Sequence, residues 1–224
     1  MLTSHKVLLG LSQDHLKRFD YGLLEANTLA AFLRMQEAAK RDDIHITPCS
    51  TFRSFQAQQA IWDQKAQGRR VLLNKNNQAV DIQGKTDDEL IDLILLWSAL
   101  PGTSRHHWGT DLDVFDNQAI KPENLQLIDT EYHINGPCYP LSLWLQEHAQ
   151  QYGFYLPYQA GLSGVSPEPW HLSYFPLANT LLAQFNLQHL TQMIEQSDIQ
   201  LKQALLPRLT HIVDDYVLRV APPP

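Results

Sequence analysis

Apolar positions recur at helical spacing in "NTLAAFLRMQEAAKR", where Leu29, Phe32 and Leu33 share a face and breakers are few, so residues 27–41 are predicted to form a helix. "DIHITPCST" then reads as a short strand that Pro48 ends or bulges. "SFQAQQAIWDQKAQG" returns to helix, with Ser54 as its cap and Gly68 as its stop. Residues 69–85 are polar and irregular, rich in Asn and Gln, and are expected to be a loop. Thr86 and Glu89 stand at capping-box spacing and open the helix "TDDELIDLILLWSAL", which Pro101 and Gly102 break.

Further on, "TDLDVFD" alternates as a strand does, and Leu141, Trp144, Leu145, His148 and Ala149 trace a helical face. "YGFYL" and "PWHLSYF" are two more short strand candidates, the second following a Gly/Ser/Pro loop at 161–167. From Pro176 the pattern is helical, broken at Pro207, and the chain stops in "APPP". Short strands separated by helices, with no glycine-rich phosphate loop, predict an α+β fold: a small, mainly antiparallel sheet flanked by helices, with a helical C-terminal extension. No linker or repeat forces a division, so residues 1–224 are expected to form one domain, with a motif-bearing core at about 23–175 and the extension at 176–224.

Composition narrows the classes of function. A net charge of −7 and the lack of any lysine or arginine run argue against a nucleic-acid partner. Cys49 and Cys138 cannot build a disulfide scaffold or a multi-cysteine zinc site, and they read as small hydrophobes. The apolar run Val7–Leu11 is shorter than the about 7–15 residues of a secretory core, and no stretch nears the about 20 apolar residues of a membrane span. The expectation is a cytoplasmic protein without a membrane span; action in the periplasm or cell wall would need export by another route.

The chemistry concentrates in "SRHHWGTDLD". Alternation along "TDLDVFD" puts Asp111, Asp113 and Phe115 on one face, and two carboxylates there need an arginine or a metal ion to meet them. Adjacent side chains of an extended chain point apart, so only one of His106 and His107 is expected to join an ion. In "SPEPWHLSY", Glu168 and His171 are three apart, with Pro169 holding Glu168 extended. His106, Asp113 and His171 would make a three-ligand zinc site with one open position, and Glu168 a base beside it. Trp170 reads as a wall of the site or as packing, Trp62, Trp97 and Trp144 as core, and Trp108 equally as pocket lining or packing. His133, His148, His189 and His211 have no partners at ligand spacing.

"Ser104-x-His106-x-x-Gly109-x-x-x-Asp113", followed by "Glu168-x-Trp170-His171" and preceded by "STFRSFQAQ" with Arg53 and Gln58, resembles the signature of the family M15 zinc peptidases, the group of the VanY-type D-alanyl-D-alanine carboxypeptidases and related LD-carboxypeptidases. The resemblance covers residues 50–175. It implies one Zn²⁺ held by His106, Asp113 and His171, with Glu168 as catalytic base. Arg53 would orient substrate or share the charge on the scissile carbonyl oxygen, and its fork would also suit a terminal carboxylate. Ser104 and Gln58 would contact the peptide. The implied activity is a D,D-carboxypeptidase hydrolysing the terminal D-Ala-D-Ala bond of peptidoglycan-type peptides through a metal-activated water. The rivals are an L,D-carboxypeptidase, a stem-peptide endopeptidase, and a non-catalytic wall-binding protein that keeps the metal site. Asp111 departs from the family, which usually has a small residue there. It would either compete for the ion or hydrogen-bond a ligand imidazole, and the motif spacing favours the second role.

Overall fold

The computed structural model describes residues 4–224, so the first three positions of the stretch judged for a leader lie outside it. A short helix, α1 (His5–Leu8), leads into a hairpin of β1 (Leu16–Phe19) and β2 (Gly22–Glu25). This hairpin was not expected, because "LKRFDYGLLE" lacks the alternation of a half-buried strand. Glu25 then caps α2 (Ala26–Arg41), its carboxylate accepting from the amides of Asn27 and Thr28. Next come β3 (Ile46–Ser50) and α3 (Phe55–Ala66), which the Ser54 hydroxyl caps as predicted.

Residues 69–85 are not a plain loop. Leu72–Leu73 (β4) pairs with Ala79–Val80 (β5), and the Asn74 side chain accepts from the amides of Asn76 and Gln78 within the turn. Two-residue strands are too short to show a period, and the asparagines that hid them are the turn chemistry itself. The predicted capping box of Thr86 and Glu89 opens α4 (Asp87–Leu95).

The site rests on a four-stranded sheet of order β3-β6-β8-β7, in which β6 is Asp111–Asp116, β7 Phe154–Tyr155 and β8 His171–Tyr174. Every pairing is antiparallel, and the α+β expectation is borne out. Register does the positioning: Asp113 pairs with Ser50 on one side and with His171 on the other, while Asp111 faces Ser173. Pro48 is tolerated because β3 is an edge strand, and the register shifts between Pro48 and Ser50. Leu112 and Val114 belong to the core formed by α2, the sheet and α5 (Tyr139–His148).

The C-terminal segment is helical as expected: α6 (Phe175–Leu182), α7 (Leu187–Gln196), α8 (Lys202–Leu205) and α9 (Leu209–Val213). Leu190, Ile194, Leu205 and Ile212 share a second apolar core with Trp62 of α3 and with Ile91 and Ile94 of α4. The Trp62 indole donates to the carbonyl of Gln200 at 3.1 Å, and Arg208 pairs with Asp88 and Asp92. The extension thereby packs against α4 and against α3, whose Ile61 and Lys65 line the site. Among the described residues no helix is long and apolar enough to cross a membrane. Cys49 and Cys138 are free thiols.

Candidate metal centre and active site

His106 and His107 lie on a 3₁₀ turn, Arg105–Trp108, and not on an extended chain as expected. Gly109 ends the turn at φ 70, where a Cβ would stand 2.3 Å from Leu16 Cδ2 and 3.1 Å from the amide nitrogen of Glu25. The Glu25 amide in turn donates to the Gly109 carbonyl at 2.8 Å, so the unexpected hairpin pins this turn.

The two rings nevertheless serve different partners. His106 Nδ1 lies 2.9 Å from the Thr51 carbonyl, which can only accept, so Nδ1 carries the hydrogen and Nε2 presents a lone pair. That Nε2 lies 3.2 Å from Asp113 Oδ2. His107 instead accepts from the Gly102 amide at Nε2 (3.0 Å) and donates from Nδ1 to the Arg53 carbonyl (2.6 Å). Burial pushes its pKa down to about 3, so it is a neutral structural pin.

His106, Asp113 and His171 offer one ligand atom each, all within 4.8 Å of one another and all buried. Glu168 Oε2 stands 3.6 Å from His171 Nδ1. Asp111 lies at the other edge of the same ring, its Oδ2 3.0 Å from His171 Nε2, while Asp113 Oδ1 is 2.9 Å from Nδ1. Asp111 also accepts from Arg105 Nε (2.8 Å), Thr110 (2.7 Å) and Ser173 (3.1 Å). The carboxylate in doubt from sequence is therefore engaged behind His171 and stands outside the ligand-atom cluster.

The electrostatics of the centre favour positive charge. Burial alone would lower the His171 pKa, but its two carboxylate partners overrule it and raise it to about 10. Burial would raise both aspartates, yet His106 with His171 holds Asp113, and Arg105 with His171 holds Asp111, well below the usual carboxylate range. The two aspartates on either side of the His171 ring thus favour positive charge at this point. Two imidazoles and a carboxylate are a donor set that a divalent ion of borderline softness accepts. Burial pushes Glu168 the other way, up to about 8, with Asp113 adding to the rise and His171 opposing it.

These groups open on a cavity of about 340 Å³ whose wall includes Arg53, Ser104, His106, Asp113, Glu168 and His171. Gln58 is not brought to it. It is fully buried, accepting from Arg53 Nη1 at 2.8 Å and donating to the Ala99 carbonyl at 2.7 Å. With Ser50, which accepts from Nη2 at 2.8 Å, it fixes the Arg53 fork, so its place is behind the arginine and not against a peptide. Trp97 is a second correction: it is half-buried and lines the cavity, stacked on Trp170 at 6.3 Å. Trp170 serves both as wall and as core, whereas Trp108 is packing, its indole donating to the Leu8 carbonyl and its face under Arg105.

Lys65, Ser98 and Tyr158 also line the cavity and were missed. For Lys65 a signal existed, since Gln58, Ile61 and Lys65 follow one helical face. Ser98 and Tyr158 lie in connecting segments, where no period points them inward.

Comparison with known proteins bears on the family and the fold. The model of the family described as VanY, D-alanyl-D-alanine carboxypeptidase, matches residues 22–177. An uncharacterised protein of Haemophilus influenzae is 35% identical over 122 residues, covering 53% of this chain and 93% of that protein. A D-alanyl-D-alanine carboxypeptidase of Enterococcus faecalis is 29% identical over 141 residues, 62% of this chain but 43% of that enzyme. Among solved structures, VanYB in complex with D-alanine-D-alanine superposes with a TM-score of 0.54 at 23% identity, covering 75% of this chain and 82% of VanYB. The LdcB LD-carboxypeptidase gives 0.51 at 20% identity, covering 74% and 66%. The chain belongs to the VanY D-alanyl-D-alanine carboxypeptidase family.

Proposed function

We propose that this chain is a zinc-dependent D,D-carboxypeptidase that removes the terminal D-alanine from peptidoglycan-type peptides. The observation that carries the proposal is the convergence of His106 Nε2, Asp113 and His171 on one buried point with Glu168 beside it. A zinc ion held by these three would act as a Lewis acid and bring the pKa of its water to about 7.

The remaining work falls to the chain's own side chains. Glu168, on the cavity wall with its Oε2 3.6 Å from His171 Nδ1, would as a carboxylate take a proton at Oε2 from the attacking water and deliver it to the departing amine. Arg53, fixed by Ser50 and Gln58, presents a preorganised cation to the scissile carbonyl oxygen, where a single such donor is typically worth about 3–4 kcal/mol. Ser104, on the cavity wall, is placed to contact the peptide. Asp111 orients the His171 ring and fixes which nitrogen faces the ion.

The D,D assignment follows the family and the D-alanine-D-alanine complex of VanYB. An L,D-carboxypeptidase, as LdcB is described, would use the same centre on a tetrapeptide. Incubating zinc-loaded protein with pentapeptide and tetrapeptide stems and weighing the products separates them. Loss of one D-alanine from the pentapeptide alone is expected; cleavage of the tetrapeptide alone would replace the D,D reading with the L,D one.

A further inference from the structure

Helix α3 delivers two cations to one cavity from its two ends: Arg53 just before the Ser54 cap, and Lys65 in the last turn. Their surroundings differ. Arg53 belongs to the centre, because its amide donates to the His106 carbonyl at 3.2 Å and its fork is held by Ser50 and Gln58. Lys65 lies at the far end of the helix, its ammonium donating to Ser98 Oγ at 2.7 Å. Among the described residues it has no carboxylate within ion-pair distance, although three donors are available to it.

A largely buried charge without a counter-ion is unusual, since withdrawal from water is costly unless an opposite charge compensates. Burial lowers the Lys65 pKa to about 8; Glu168 opposes that shift at longer range, and Arg70 and Arg53 reinforce it. Arg70, on the rim, adds a further positive group and hydrogen-bonds Gln64. Ile61 and Val165 give the same cavity apolar wall suited to a small side chain. A chain with a net charge of −7 thus places three cationic side chains, Arg53, Lys65 and Arg70, on the wall of this cavity.

Resting on the peptidase reading above, we propose that Lys65, with Ser98, binds the free terminal carboxylate of the substrate. The terminal residue lies beyond the scissile bond, and Lys65 lines the same cavity from the end of α3 opposite to Arg53. This division resolves the double duty that the motifs leave on Arg53: the arginine serves the scissile carbonyl, and the lysine selects a chain end.

The test compares an N-acetylated L-Lys-D-Ala-D-Ala peptide as free acid and as C-terminal amide. Native zinc-loaded protein is expected to prefer the acid. Lys65→Met should raise KM for the acid by about tenfold to a hundredfold, the range of a hydrogen bond to a charged group, with kcat changed only a fewfold and the amide unaffected. Lys65→Arg, which keeps the charge, should retain most of the preference, and thermal melting of both variants checks folding. Calorimetric binding of the acid to zinc-loaded Glu168→Ala protein, with and without Lys65→Met, reads the subsite without turnover and should show the same factor. An unchanged acid-to-amide ratio in Lys65→Met, or equal binding in the calorimetric pair, overturns the subsite. Lys65-dependent binding alongside a native protein that cleaves neither peptide would overturn the peptidase reading and leave the subsite standing.

Discussion

Replacing Asp111 by alanine should be among the most damaging single changes outside the ligand set, for a reason that can be worked from its contacts. Its carboxylate is fully buried and is met by Arg105 at 2.8 Å, Thr110 at 2.7 Å, His171 at 3.0 Å and Ser173 at 3.1 Å. Removing it strands the Arg105 guanidinium in the interior, where Nη1 already lacks a partner and only Ser173 and the Trp108 face remain. Breaking a buried ion pair by deleting one member costs about 3–5 kcal/mol, a large share of a total stability of about 5–15 kcal/mol. Urea denaturation of the zinc-loaded protein would measure it. The double variant Arg105→Met/Asp111→Ala removes both charges and should regain most of the loss, because a buried pair replaced by apolar groups is often neutral. It should still bind zinc about 10–100-fold more weakly in a chelator competition, since His171 Nε2 has lost the acceptor that fixes its tautomer. A loss below about 1 kcal/mol in Asp111→Ala, or native zinc affinity in the double variant, would refute the reasoning.

Three further outcomes are expected. Gln58→Ala should lower stability by about 1–3 kcal/mol, by leaving the Ala99 carbonyl and Arg53 Nη1 without their partner, and should reduce kcat more than it raises KM in peptide hydrolysis. Gly109→Ala, which would force a Cβ against Leu16 and Glu25 at φ 70, should cost about 1–3 kcal/mol in chemical denaturation and leave less than one zinc per chain. In metal-free protein, the folded pKa of His171 is raised from 6.5 to about 10 and that of Glu168 from 4.5 to about 8. Both contributions are fully present below the unfolded values and fade as pH rises through the folded ones, so calorimetry should find a lower melting temperature at about pH 9 than at about pH 7. Zinc binding near pH 7 should release a proton, read from its heat in buffers of different ionisation enthalpy.

Much of the centre was legible because short-range patterns encode it. A strand of period two puts Asp111 and Asp113 on one face, and the motif spacing singles out Asp113, His106 and His171, the residues whose ligand atoms converge. What was not legible depends on contacts between distant segments. Gln58 is a polar residue on a helix, and only the approach of Arg53 and Ala99 makes it an interior brace. Trp97 has an apolar neighbourhood in sequence, but its ring is shared between Trp170 and the cavity. The Leu16–Glu25 hairpin carries no alternation of its own; its worth lies in the Glu25 amide bonded to Gly109. The carboxylate of Asp111 could be assigned only once Arg105 and Ser173 were seen to surround it.

The central claim is that Glu168 moves the proton beside an ion held by His106, Asp113 and His171. It is tested most directly by measuring zinc content and D-alanine release together in the Glu168→Ala variant. One zinc per chain with no detectable hydrolysis of a D-Ala-D-Ala-terminated peptide is the predicted result. Full hydrolysis in that variant would contradict the account.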